Sequence, residues 1–129
     1  MYRCYCDASY KELERTGSIG IIVFNSSDEV LFKQSKELGH NIVTSVHVEL
    51  LALNETLLIL RSQEVKNILV HIDHKGIADK INDSKYLKGK YCEMYKPIID
   101  EIKYNLNSLQ AELVWVHRKK NRIADRLSK

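Results

Sequence analysis

The sequence predicts an α/β domain in which one mixed sheet carries helices packed on it. Three strand-like runs come first, a helical period takes over near residue 45, and strands then alternate with helices. The order is β-β-β-α-β-α-α-β-α, a meander followed by α/β units.

"YRCYCD" (2–7) alternates aromatic and cysteine residues and ends on an acid, so it reads as the first strand. "ELERTG" is a polar turn, and "SIGIIVFN" (18–25) is an apolar, β-branched second strand. "SSDE" turns the chain into a third strand, "VLFKQSKEL" (30–38). From Thr44 or Ser45, either a fair N-cap, to Ser62 the apolar positions are Val46, Leu50, Leu53, Leu57 and Leu60, which is an amphipathic helix. "NILVHID" (67–73) is nearly all apolar, as a central parallel strand covered on both faces requires. "HKGIADKIND" reads as a short helix. Pro97 stands where a first helical turn tolerates it, ahead of Ile98, Ile99, Ile102 and Leu106. "AELVWVHR" (111–118) is the last strand, and Asn121 can cap a short helix holding Ile123, Ala124 and Leu127.

At 129 residues, with 44% hydrophobic and 29% charged, the chain suits a single globular domain over 1–129. No apolar run approaches the roughly 20 residues that span a bilayer, and "MYRCYCD" has no signal-peptide core, so no membrane partner is expected. Three cysteines, an odd and sparse number, fit a reducing cytoplasmic setting. Cys4-x-Cys6 lacks a second Cys/His pair at zinc spacing and reads as two small residues on one buried strand face. The net charge of +3 is uneven: residues 118–129 hold six bases and one acid, while 1–117 hold 14 bases and 16 acids. Six lysines between Lys75 and Lys96 form a second basic stretch. Such runs are usually solvated faces, but two of them make a polyanion partner reasonable.

Asp7 and Asp73 end the first and fourth predicted strands, where the sheets of α/β proteins bind ligands. Either alone reads as a turn or cap residue, and Asp73 could cap the helix that follows it. Glu49 lies between Val46, Leu50 and Leu53 on an apolar helix, so its carboxylate requires a base or a cation. Asp125 is the lone acid of the basic C-terminal segment, with Arg122 and Lys129 at helix-neighbour spacings. Acids that converge cannot all stay ionised unless positive charge joins them, and all-oxygen ligands favour Mg²⁺ or Mn²⁺.

"CYCDASYK", "VELLAL", "LVHIDHKGI" and "WVHRKKNRIADRLSK" follow in the order and rough spacing of type 1 ribonuclease H. The chain most resembles the small ribonuclease-H-like proteins of reverse-transcriptase type, over Tyr2 to Ser128. The resemblance implies a ribonuclease H-like, five-stranded mixed sheet: a three-strand antiparallel meander plus two parallel strands, with helices on both faces. It matches Asp7, Glu49, Asp73 and Asp125 to the family's catalytic acids, which hold two Mg²⁺ ions, Mn²⁺ being a possible substitute. The expected reaction cuts the RNA strand of an RNA/DNA hybrid to 5′-phosphate and 3′-hydroxyl ends, by in-line displacement with two metals. Reading of 2′-hydroxyls in a wide minor groove would select RNA.

By the same resemblance, Ser9, Ser45, Lys75, Arg118, Lys119, Lys120, Asn121 and Arg122 are expected to contact nucleic acid. Relatives often carry asparagines just before the catalytic Glu; here Ser45, Val46 and His47 stand there, leaving Ser45 and backbone groups for the task. His117, eight residues before Asp125, is nearest to a family His that aids product release, with a structural or phosphate-facing role equally open. A basic protrusion would fall within 75–96, where Tyr86 and the lysines could meet phosphate. Tyr91 and Tyr95 have helix-packing spacing, and His71 reads as a hydrogen-bonded core residue. A monomer is expected. The competing readings are a non-catalytic nucleic-acid-binding domain on this fold and another nuclease of the superfold, such as a junction resolvase.

Overall fold

A computed structural model describes residues 1–82 and 90–129. The expectations placed on Tyr86, Lys85 and Lys88, the middle of the expected protrusion, lie outside the described residues. Strands β1 (Tyr2–Lys11), β2 (Thr16–Phe24) and β3 (Val30–Gly39) form the meander. Helix α1 (Ser45–Ser62), strand β4 (Ile68–Ile72) and helices α2 (Lys75–Asn82) and α3 (Cys92–Leu109) follow. Strand β5 (Glu112–Trp115), a 3-10 turn (Arg118–Lys120) and helix α4 (Arg122–Leu127) complete the chain. The five strands stand in the order β3-β2-β1-β4-β5, with β1 parallel to β4 and β4 parallel to β5.

The sheet is covered on both faces, and two glycines of β2 show how closely. A Cβ at Gly17 would lie 2.3 Å from Val48 of α1, whereas one at Gly20 would lie 2.2 Å from the Ala124 carbonyl of α4. Three residues apart on a strand, the two positions face opposite ways. On the α1 side Cys4 and Cys6 pack, buried and unbridged, with Leu50, Leu53 and Leu57. Between α1 and α3, buried Asn105 donates to Asn54 (2.9 Å) and accepts from Arg61 (2.8 Å), so that polar junction leaves no orphan. Tyr95 is buried, with the Tyr91 ring 6.1 Å away, as their spacing predicted.

Several sequence expectations need correction. Asp7 does not end β1. It lies mid-strand, paired with Gly20, because Ala8 to Lys11 continue the ladder against Thr16 to Ile19. Asp73 follows β4 but does not cap α2; the imidazole of His74 does so, accepting from the Ile77 amide at 3.1 Å. Pro97 sits in the second turn of α3, not the first, since the helix already starts at Cys92. The strand predicted to run through Arg118 stops at Trp115, so His117 stands on the following loop. Asn121 makes no side-chain cap for α4.

Gly20→Ala should therefore push α4 off the sheet, because the atoms met are backbone and cannot rotate away. A loss of roughly 1–3 kcal/mol in urea denaturation is expected, the usual cost of forcing atoms into a packed interface. An unchanged midpoint would contradict this packing.

Candidate active site

Two parallel strands bring the first pair of acids together. Tyr5 of β1 is in register with His71 of β4, and two residues beyond each stand Asp7 and Asp73. The face they share is fixed one layer deeper, where the Tyr5 and His71 rings stack with centroids 4.3 Å apart. His71 is buried, and its Nδ1 lies 2.9 Å from the Cys4 carbonyl, the core role expected of it. Burial holds its imidazole below the ordinary pKa, with the neighbouring Arg3 charge acting the same way.

The other two acids arrive from helices on opposite faces of the sheet. Thr44 caps α1, its hydroxyl accepting from the His47 amide, and Glu49 follows one turn into the helix. Asp125 comes from α4 and is coupled to Asp7, raising the Asp7 carboxyl while its own is lowered. All four acids are coupled through Asp7. Burial first, then the charge of Asp73, raises the Asp7 carboxyl to about 7. Burial and the charges of Asp7 and Asp73 raise Glu49 to about 8, against an opposing pull from Arg118. Asp125 goes the other way, held below its ordinary value chiefly by Lys129, whose ammonium lies 3.1 Å from Oδ1. Even Cys6, underneath the cluster, has its thiol pushed up to about 12 by burial and by three of these acids.

Asp73 is held from two sides by residues whose roles the sequence did not reveal. Asn121 is 1% exposed; its Nδ2 donates to Asp73 Oδ2 at 3.1 Å and to the Cys6 carbonyl at 2.9 Å. Two acceptors fix which way the amide points, and its Oδ1 is left buried without a partner among the described residues. This corrects the expectation that Asn121 reaches nucleic acid, since its side chain ties β1 to the loop after β4. Trp115, in register with Ile72, donates from its indole N–H to the Asp73 carbonyl at 3.2 Å. A lone tryptophan ending the strand beside β4 is the signal that could have flagged it.

The remaining expected residues divide. Arg118 acts on Glu49 and Asp125. Lys75 begins α2 with its ammonium 5.9 Å from the centre of the Trp115 ring, at the rim of the cluster. Ser45 is exposed at the start of α1, one turn before Glu49. Ser9 is two residues past Asp7 on β1 and pairs with Ser18. His117 is exposed, and its Nδ1 accepts from the Lys119 amide at 3.2 Å, which places the neutral ring's proton on Nε2. Lys119, Lys120 and Arg122 line a hollow beside Tyr5 and Phe24.

Only oxygen donors converge here, and burial together with mutual repulsion favours the protonated forms of Asp7 and Glu49. That donor set fits hard divalent cations. Among the described residues, no three His, Cys, Asp or Glu side chains are already closed around one point. Asp125 is paired with Lys129, and Asp73 accepts from Asn121.

The reverse transcriptase-like family model matches residues 5–129. No curated protein matches the chain. Among solved structures, RNase H1 of the halophilic archaeon Halobacterium salinarum aligns at 14% identity and TM-score 0.84, over 98% of this chain and 93% of that one. LC11-RNase H1, isolated from compost and solved in complex with an RNA/DNA hybrid, aligns at 19% identity and TM-score 0.82, over 99% and 94%. The RNase H domain of prototype foamy virus aligns at 18% identity and TM-score 0.69, over 98% and 91%.

The raised carboxyls set a pH dependence. Folded Asp7 and Glu49 hold their protons more tightly than the unfolded chain, where carboxyls titrate at roughly 4. Their contribution to stability is full below that value and is lost as pH rises through about 7 and about 8. Thermal midpoints in EDTA should fall between pH 5 and 9, and Asp7→Asn should flatten the slope. A midpoint that rises over this range would contradict the coupling.

Proposed function

The chain belongs to the reverse transcriptase-like family, and from that premise we propose that it is a ribonuclease H: a metal-dependent endonuclease that hydrolyses the RNA strand of RNA/DNA hybrids. The observation that carries this reading is the convergence of Asp7, Glu49, Asp73 and Asp125, coupled strongly enough to raise the carboxyls of Asp7 and Glu49 to about 7 and about 8. Buried like charges of this kind are costly unless they serve a cation.

The four acids would hold two Mg²⁺ ions, with Mn²⁺ as a substitute. When bound, such ions supply positive charge to the scissile phosphate and to the leaving 3′ oxygen. The chain's own residues do the rest. Asp7, central in β1 and paired with Gly20 of β2, gives the set a rigid floor, and rigid placement is what the chemistry rewards. Asn121 and Trp115 hold both the carboxylate and the carbonyl of Asp73 in place. Arg118 adds positive charge beside Glu49 and Asp125, where a phosphate would approach. His117, on an exposed loop with its proton on Nε2, can donate to the departing product. Ser45 and the first amides of α1, at the exposed start of the helix that carries Glu49, would read the hybrid's minor groove. The products are 5′-phosphate and 3′-hydroxyl ends.

Incubation with RNA/DNA hybrid, duplex DNA and duplex RNA, each with Mg²⁺ or Mn²⁺, tests this directly. Only the RNA of the hybrid should be cut, and Asp7→Asn or Asp73→Asn should lower the rate at least about a hundredfold. A wild-type protein that binds the hybrid yet never cuts it would sink the proposal and favour a binding domain. Cleavage of branched duplex DNA in preference would favour a resolvase.

A further inference from the structure

We propose that the hollow between the sheet and α4 is a second nucleic-acid site, which holds an unpaired strand. The inference goes beyond hydrolysis and stands whether or not the four acids cut anything. It rests on the way the basic C-terminal segment is divided. Arg118 turns to the carboxylates, while Lys119, Lys120, Arg122 and, one turn later, Arg126 line this hollow of about 390 Å³. All four are exposed, and none makes an ion pair among the described residues. Among the described residues no acidic side chain lines the hollow, and its fifth cation, Arg3, is paired with Asp28 and lies 5.1 Å from the centre of the Phe24 ring. Four like charges gathered in this way repel one another unless a polyanion is their partner.

The floor tells which polyanion. It is apolar and aromatic: Phe24 stands edge-on to Tyr5, centroids 6.0 Å apart, and Tyr5 is fixed by its stack on His71. Ile123 is 46% exposed on the α4 side of the same hollow. A duplex presents phosphates but hides the faces of its bases, so it would leave this floor uncovered. An acidic peptide brings charge but no ring. An unpaired strand brings both, phosphates for the rim and bases for the floor, the pairing that single-strand sites use. The hollow has the size of a small-ligand site, suited to a nucleotide or two. Asn121 forms part of its wall while its amide bonds Asp73, so a strand leaving the hollow is led towards the acids.

The test is fluorescence anisotropy in EDTA with a fluorescein-labelled oligothymidylate of about ten nucleotides. The wild type should bind with affinity that falls as salt rises. Arg126→Glu, an exposed change that spares the core, should weaken binding roughly tenfold, and Phe24→Leu roughly fivefold. Thermal midpoints confirm that both variants fold, and the exposed Arg126 variant decides the matter should Phe24→Leu fail. Wild-type affinity in Arg126→Glu would overturn the proposal. So would displacement of the probe by blunt duplex DNA or by polyglutamate as readily as by unlabelled oligothymidylate. Because EDTA separates binding from metal-dependent cleavage, a protein that binds the oligomer but cuts no hybrid contradicts only the ribonuclease reading. One that cuts the hybrid but ignores the oligomer contradicts only this site.

Discussion

Like charges do not gather by themselves, and this fold gathers four. The sheet register decides it: β1 and β4 run parallel with Tyr5 beside His71, so Asp7 and Asp73 come out next to each other. Helices on opposite faces then add Glu49 and Asp125. The repulsion is answered by protons, favoured on Asp7 and Glu49 near neutrality, and by Lys129 and Arg118 at the edge. The protein therefore carries a standing electrostatic strain at one point of an otherwise apolar core. Such a point is where function is to be sought.

Much of the remaining structure serves that point. Gly20, directly opposite Asp7 on β2, has no side chain because α4 must come close enough to deliver Asp125. Asn121 links the two central strands through one amide, at the cost of a buried oxygen without a partner among the described residues. Trp115 adds a second hold on Asp73 and offers its ring to Lys75. Beyond them, one short basic segment serves two sides of the molecule. Arg118 belongs to the acids, and the bases that follow it belong to the aromatic hollow.

How much was legible beforehand depended on whether a local pattern carried the information. Alternation in "YRCYCD" and the 3/4 spacing from Val46 to Leu60 are local: the helix formed where expected, and the strand began there though it runs on to Lys11. All four acids could be picked out because each broke a local pattern. Asp7 was misplaced at a strand end because a carboxylate in a strand looks like a terminator, and only the α4 side of the sheet explains it. Pro97 misled in the same way: it is usual in a first turn, and α3 admits it in the second. Asn121 looked like a cap, a residue's most local use, yet its partners lie 48 and 115 positions away. The hollow was invisible for a like reason, since it joins Arg3 and Phe24 to residues more than 90 positions later.

The central claim is that the carboxylate cluster is built to exchange protons for divalent cations. Calorimetric titration of Mg²⁺ into the metal-free protein at about pH 7, in two buffers of different ionisation enthalpy, addresses it most directly. The Asp7 and Glu49 carboxyls are raised to about 7 and about 8, so binding should release roughly one to two protons per protein, and Asp7→Asn should lose the binding and with it the release. No binding by the wild type, or binding with no proton released, would contradict the account.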